Sequence, residues 1–218
     1  MTGMSVKLQL ALDFLEIEVA LGLLEKVHSF ADIIEVGTPS VIRYGMQAVR
    51  AVKQSYAAKE VLADLKIMDA GEGEARLGFE AGASIVTVMG VAPNETFLGA
   101  LRAAAKFGGR IMADLMSVPS PAPRAQELAK LGCEIVCVHA STDVQQSGED
   151  AFESVRLIRS RLSKALIAVA GGIDLNSAAP ACEAGADILV VGSGIVKAED
   201  PRASARALHE ICARWAGR

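Results

Sequence analysis

The segment Asp64-Leu65-Lys66-Ile67-Met68-Asp69-Ala70-Gly71 places two carboxylates and an amine close together, directly after the apolar run Val61-Leu62-Ala63. The run reads as a buried strand, and the charges as its C-terminal end. Side chains alternate faces along a strand, so Asp64 and Lys66 share one face and Leu65 and Ile67 the other. Two opposite charges on the inner face of a buried strand are costly unless they are paired or used. The open end of a parallel sheet is where such charges can meet a ligand. Asp69 follows in the loop and can point elsewhere, as far as a neighbouring subunit. Residues of these types can hold a cation or stabilise a developing enolate.

The elements that must position them recur along the chain. Apolar runs predict strands at Leu8–Leu12, Ile33–Val36, Val61–Leu65, Ile85–Met89, Ile111–Leu115, Ile135–His139, Ile167–Ala170 and Ile188–Val191. Segments of helical spacing lie between them, such as Glu18–His28, Thr38–Ser55 and Glu95–Lys106. A weak internal repeat marks helix ends: Ala81-Gly82-Ala83, Leu131-Gly132-Cys133 and Ala184-Gly185-Ala186 carry glycine where a left-handed cap belongs. Strand–helix alternation without a long linker or a change of composition predicts an α/β fold. Its expected form is a (β/α)8 TIM barrel, single-domain over residues 1–218. A doubly wound open sheet is the competitor. No G-x-G-x-x-G follows the first strand, which argues against a dinucleotide-binding form of it.

Composition narrows the function. Of the 218 residues, 51% are hydrophobic and 22% charged, so the chain can bury a large core. A net charge of −4, few aromatics and no lysine-rich run argue against nucleic acid as a partner. An anionic small molecule needs only a local positive site. No run reaches ~18 apolar residues, and Met1 to Lys7 lacks an apolar signal core, so neither a membrane span nor export is expected. Cys133, Cys137, Cys182 and Cys212 show no zinc-like clustering and read as reduced thiols of a cytoplasmic protein.

On a barrel, the strand ends chart the site. Strand 1 ends in Asp13, strand 2 carries Glu35, strand 5 ends in Asp114 and strand 6 in His139. Ile34 and Val36 flank Glu35 on the opposite face, and Val138 lies opposite Cys137 and His139, so the polar residues point inward. Glu35 and Asp64 are carboxylates on adjacent strands. They suit Mg2+, which takes one or two protein carboxylates plus water and substrate oxygens. The plainer alternative is a buried Glu–Lys–Asp network that holds the mouth together. Lys66 either neutralises the carboxylates or stabilises an enolate. A Schiff base is disfavoured because acidic neighbours keep the amine charged.

His139 is the candidate proton carrier near neutral pH, against a purely structural histidine. His28 and His209 fall on helices and are expected to face solvent. Gly171-Gly172 and Gly192-Ser193-Gly194 follow strands 7 and 8, the frequent phosphate site of this fold. Either glycine pair alone is an ordinary turn. Asp13 is expected to orient Lys66 or a substrate hydroxyl. Asp114 either joins the site or caps the following loop. Trp215 and the alanine-rich last helix are core or interface.

These residues resemble the orotidine monophosphate decarboxylase suprafamily, whose mark is D-x-K-x-x-D after strand 3. The matching segments are Leu8-Gln9-Leu10-Ala11-Leu12-Asp13, Ile34-Glu35-Val36-Gly37-Thr38-Pro39, Ala63 to Gly71, Val86-Thr87-Val88, Val138-His139, Ala168 to Ile173 and Val190-Val191-Gly192. They span essentially the whole chain. Within the suprafamily the chain most resembles the 3-hexulose-6-phosphate synthases. The nucleotide decarboxylases carry lysine where Glu35 stands. The alternative, the 3-keto-L-gulonate 6-phosphate decarboxylases, has threonine at Leu65, arginine after the strand-6 histidine, threonine at Ala170 and arginine at Ser193. This chain reads His139-Ala140-Ser141-Thr142 at the second of these positions.

The resemblance implies an aldolase-type lyase that uses Mg2+, with D-ribulose 5-phosphate and formaldehyde as substrates. It implies His139 as base at C1, Lys66 and the metal beside the enediolate, and phosphate on the glycines of strands 7 and 8. It also implies a homodimer in which Asp69 reaches the partner's site. A reading from another class is a non-catalytic sensor of a phosphate ligand.

Overall fold

Eight apolar runs pair in chain order into a closed parallel barrel in this computed structural model, which describes residues 5–13, 16–141 and 151–215. The strands are β1 (Lys7–Leu12), β2 (Ile33–Val36), β3 (Glu60–Ile67), β4 (Ile85–Met89), β5 (Arg110–Asp114), β6 (Ile135–His139), β7 (Leu166–Ala170) and β8 (Ile188–Val191). Around them lie α1 (Ile17–Val27), α2 (Thr38–Tyr44), α3 (Met46–Ser55), α4 (Gly71–Glu80), α5 (Asn94–Phe107), α6 (Pro121–Leu131), α7 (Ala151–Arg159), α8 (Ala178–Ala184), α9 (Ser193–Val196) and α10 (Pro201–Arg214). This is the expected TIM barrel. No helix among the described residues is long and apolar enough to cross a membrane.

Strand residues divide between two cores, as a period of two requires. Leu8, Leu10, Ile34, Val36, Val61 and Val136 face the helices. Ile33, Ile85, Ile135 and Ile188, all from even strands, fill one layer inside the barrel. Each such isoleucine contributes ~1.5–3 kcal/mol on burial. Odd strands supply the alternate layers. Leu62, Met112 and Ala168 pack inside the barrel, level with Gln9. The next inward position on these strands brings Ala11, Asp64, Asp114 and Ala170 to the C-terminal mouth. Polar side chains there are the price of a site, and the apolar layers beneath offset it.

The differences from the sequence reading are local. The expected helix Thr38–Ser55 is two helices, because Gly45 takes φ +57° and its N–H caps Val41. β3 runs past Leu65 to Ile67 through a bulge. The glycine repeat behaves as expected, with Gly82, Gly132 and Gly185 all left-handed. His28 and His209 do not simply face solvent. Both are half-buried, His28 against Tyr56 and His209 against Phe30. Trp215 packs against the outer core. Thr142 and the first residues of the Met1–Lys7 segment lie outside the described residues.

Candidate active site

Asp64, Lys66, Asp114 and His139 meet at the mouth. Ala63 pairs with Val86 but Ile67 with Val88, so β3 carries extra residues there. Within this bulge Lys66 takes φ +48°, a conformation that costs a non-glycine residue ~1–3 kcal/mol. The surroundings over-determine it. Lys66 N–H donates to Thr87 Oγ1 at 2.9 Å. Its Nζ lies 3.1 Å from Asp64 Oδ2 and 2.9 Å from Asp114 Oδ2. Burial favours the neutral amine, but the charges of Asp64 and Asp114 outweigh it and hold the Lys66 pKa above its ordinary value. Lys66 is therefore an ammonium, which agrees with the case against a Schiff base.

Asp114 is both alternatives at once. It is 2% exposed. Its Oδ1 accepts from Met116 N–H at 2.9 Å, which caps the following loop. Its Oδ2 is shared by Lys66 Nζ and His139 Nδ1, each at 2.9 Å. Burial would raise the Asp114 pKa, but the hydrogen bond and charge of His139, with Lys66, hold it down to about 2. A carboxylate can only accept, so His139 carries its proton on Nδ1. Whenever the ring gives up its second proton, it is Nε2 that carries the free lone pair.

Glu35 and Asp64 sit beside this pair. Asp64 Oδ1 accepts from Thr87 Oγ1 at 2.8 Å, and Oδ2 from Thr38 Oγ1 at 2.6 Å. Glu35 Oε2 accepts from Gln9 Nε2 at 2.7 Å. Burial and then the Asp64 charge push the Glu35 pKa up to about 8, against the Gln9 hydrogen bond. Desolvation and the same Asp64 charge raise Asp13. Asp13, Glu35, Asp64 and Asp114 thus crowd around Lys66, an excess of negative charge that fits a divalent cation. The donors at Glu35 and Asp64 are all oxygen, the preference of Mg2+. No group of three or more His, Cys, Asp or Glu could hold a metal among the described residues. Water or substrate oxygens would complete the shell.

A cavity of about 720 Å3 opens over these groups and reaches Asp13, Gly171, Gly172, Gly192 and Ser193. Gly171 takes φ +97°, and a Cβ there would come within 2.1 Å of the Ala140 carbonyl oxygen. Only glycine allows that approach. Lys197 lines the same rim. Asp13 is at the rim too, without a hydrogen bond to Lys66. Asp69 is not brought into this cavity. It is exposed and accepts from Ala70 N–H at 2.7 Å. Its loop is fixed by Gly71, where a Cβ would lie 2.0 Å from the Thr96 carbonyl oxygen of α5.

Sequence reasoning passed over Gln9, Thr38, Thr87 and Lys197. Gln9 stands between Leu8 and Leu10, and Thr87 between Val86 and Val88. A lone polar residue on the inner face of an apolar strand is the signal that singled out Glu35, and it was available for both. Thr38 and Lys197 lie beyond strand ends, where alternation says nothing.

The sequence matches the Orotidine 5'-phosphate decarboxylase / HUMPS family over residues 6–208. The chain belongs to this family. A 3-hexulose-6-phosphate synthase from Bacillus subtilis (strain 168) is 38% identical over 206 residues, which are 94% of this chain and 98% of the relative. The crystal structure of a 3-hexulose-6-phosphate synthase from Salmonella typhimurium superposes with a TM-score of 0.93 at 40% identity, covering 96% of this chain and 99% of that one. A 3-keto-L-gulonate-6-phosphate decarboxylase from Vibrio cholerae has the same fold at 25% identity, with a TM-score of 0.87 over 98% of this chain and 100% of that one. The family's barrel therefore frames both chemistries, and the identity lies on the synthase side.

Proposed function

We propose that this protein catalyses the 3-hexulose-6-phosphate synthase reaction, the reversible condensation of D-ribulose 5-phosphate with formaldehyde to D-arabino-hex-3-ulose 6-phosphate. The observation that carries the reading is the Asp114 bridge. One carboxylate oxygen orients a general base, His139, and an ammonium, Lys66, above two carboxylates that suit Mg2+. Mg2+ on Glu35 and Asp64 would polarise the ketone and neighbouring hydroxyl of the sugar phosphate. The backbone of Gly171, Gly172, Gly192 and Ser193 receives the phosphate, with Lys197 as a countercharge at the rim. His139 Nε2 removes the C1 proton. Lys66 faces the negative charge that develops on the enediolate oxygens. C1 then forms a bond to the formaldehyde carbon, and the proton on His139 is available to the new hydroxyl. Asp13 orients a substrate hydroxyl.

The assembly in this reading is a homodimer with shared active sites. Asp69 lies outside its own cavity, and the adjacent Met68 is 49% exposed, which supports a role for Asp69 in the partner's site. Four free, buried cysteines accord with a cytoplasmic enzyme. The test is to incubate the purified protein with ribulose 5-phosphate, formaldehyde and Mg2+, with an EDTA control. The expected result is metal-dependent loss of formaldehyde and a hexulose phosphate product. No consumption, with carbon dioxide release from 3-keto-L-gulonate 6-phosphate, would overturn it in favour of the decarboxylase.

A further inference from the structure

Gln9 is a polar side chain in an apolar layer. It is 1% exposed and level with Leu62, Met112 and Ala168, which pack inside the barrel. A buried carboxamide is costly unless both its ends are satisfied. One end is: Nε2 donates to Glu35 Oε2 at 2.7 Å. The other is not: Oε1 is buried with no hydrogen-bond partner. A methionine or leucine here would match the rest of the layer. The carboxamide therefore serves the residue above it.

We infer that Gln9 is a positioning residue for the cation site, holding Glu35 by one oxygen so that the other faces Asp64 and the cavity. The inference rests on the proposed use of Glu35 and Asp64 for a divalent cation. Gln9 lines the floor of the same cavity, and its Oε1 is an acceptor waiting for a donor. Water bound to a divalent cation supplies O–H groups of that kind. Glutamine meets both needs because it carries a donor and an acceptor on one planar group. Glutamate would lack the N–H and would add a further carboxylate beside Glu35.

The partners that orient metal ligands are worth ~10–100-fold in metal affinity. The experiment is a Mn2+ titration followed by electron paramagnetic resonance, on wild type and on Gln9→Met, which keeps the volume and removes both polar ends. Free Mn2+ is read directly, so turnover is not required. The expected result is Mn2+ binding at least tenfold weaker in Gln9→Met, with a metal-free melting temperature no lower than wild type. Loss of the Mg2+-induced rise in melting temperature should accompany it. Equal affinity in wild type and variant overturns the inference and leaves the metal reading standing. Absence of Mn2+ binding by the wild type overturns both. If Gln9→Met does not fold, Gln9→Leu takes its place. If neither gives the circular dichroism of the wild-type barrel, Gln9 serves the core, and the inference is overturned.

Discussion

At the N-terminal end of the barrel, Glu60 lies between Lys7 and Arg110, the first residues of β3, β1 and β5. Lys7 Nζ donates to Glu60 Oε2 at 2.7 Å, and Arg110 donates to the other oxygen. Burial would raise the Glu60 pKa, but these two cations hold it below its ordinary value. Nearby, Arg159 pairs with Asp187, which also accepts from Ile167 N–H at 2.7 Å. At the C-terminal end the balance is reversed. Asp13, Glu35, Asp64 and Asp114 gather around Lys66, and Glu35 is driven up to about 8. On β3 and β5 the same inward face carries compensated charge at one end, Glu60 and Arg110, and part of the surplus at the other, Asp64 and Asp114. Compensated charge closes the barrel floor. Surplus charge is costly in the free protein, and in the proposed function a cation and a substrate would offset it.

The contrast breaks most visibly through catalysis. His139→Gln should lower kcat ~10²–10⁴-fold, the scale of a lost general base, and leave the melting temperature unchanged. A loss under tenfold would remove His139 from that role. Next in size is Glu35→Gln, which should weaken Mn2+ binding by at least the ~10–100-fold that loss of a partner orienting a metal ligand costs, and lower activity without unfolding the chain. If the variant instead fails to fold with or without Mg2+, Glu35 belongs to a structural charge network.

The pH dependence of Glu35 sharpens the comparison. Its folded pKa of about 8 lies above the ordinary 4.5. Its stabilising contribution is therefore complete below pH 4.5 and is lost as pH rises through 8. In EDTA, urea midpoints of wild type should fall across this window more steeply than those of Glu35→Gln, with the variant the more stable at pH 8. Parallel curves would contradict the surplus charge at the mouth. The smallest effect belongs to the floor. Glu60→Gln leaves Lys7 and Arg110 facing each other across a partly exposed site, worth on the order of 1 kcal/mol, or ~2–4 °C in melting temperature for a chain this long. Activity should stay within twofold of wild type; a larger drop would mean that the two ends are not independent.

Most of the architecture is legible without coordinates. The strand runs are apolar on both faces, as buried parallel strands must be. β2, β4, β6 and β8 have the bounds that the sequence reading expects, and the others differ by a residue or two at their ends. The polar exceptions in those runs identify Glu35, Asp64 and His139, because a charge or imidazole on an inner face needs a reason. The same rule applied without regard to charge would have found Gln9 and Thr87. Gly45 was the missed break in Thr38–Ser55, since helical spacing continues across it and only its backbone conformation ends the first helix.

The sequence by itself determined the barrel, the inward set of polar residues and the glycine-lined loops after the last two strands. These follow from periods of two and 3.6, which are properties of neighbouring residues. Tertiary structure alone decided that Asp114 stands between Lys66 and His139, that Lys66 sits in a left-handed bulge, and that Gln9 supports Glu35 from below. Those partners are far apart in the chain, and their atoms come within hydrogen-bond distance only when the strands close into a ring. Whether a carboxylate is a cap, a counter-ion or the orienting group of a base depends on which atoms closure brings to it, and local pattern holds no record of that.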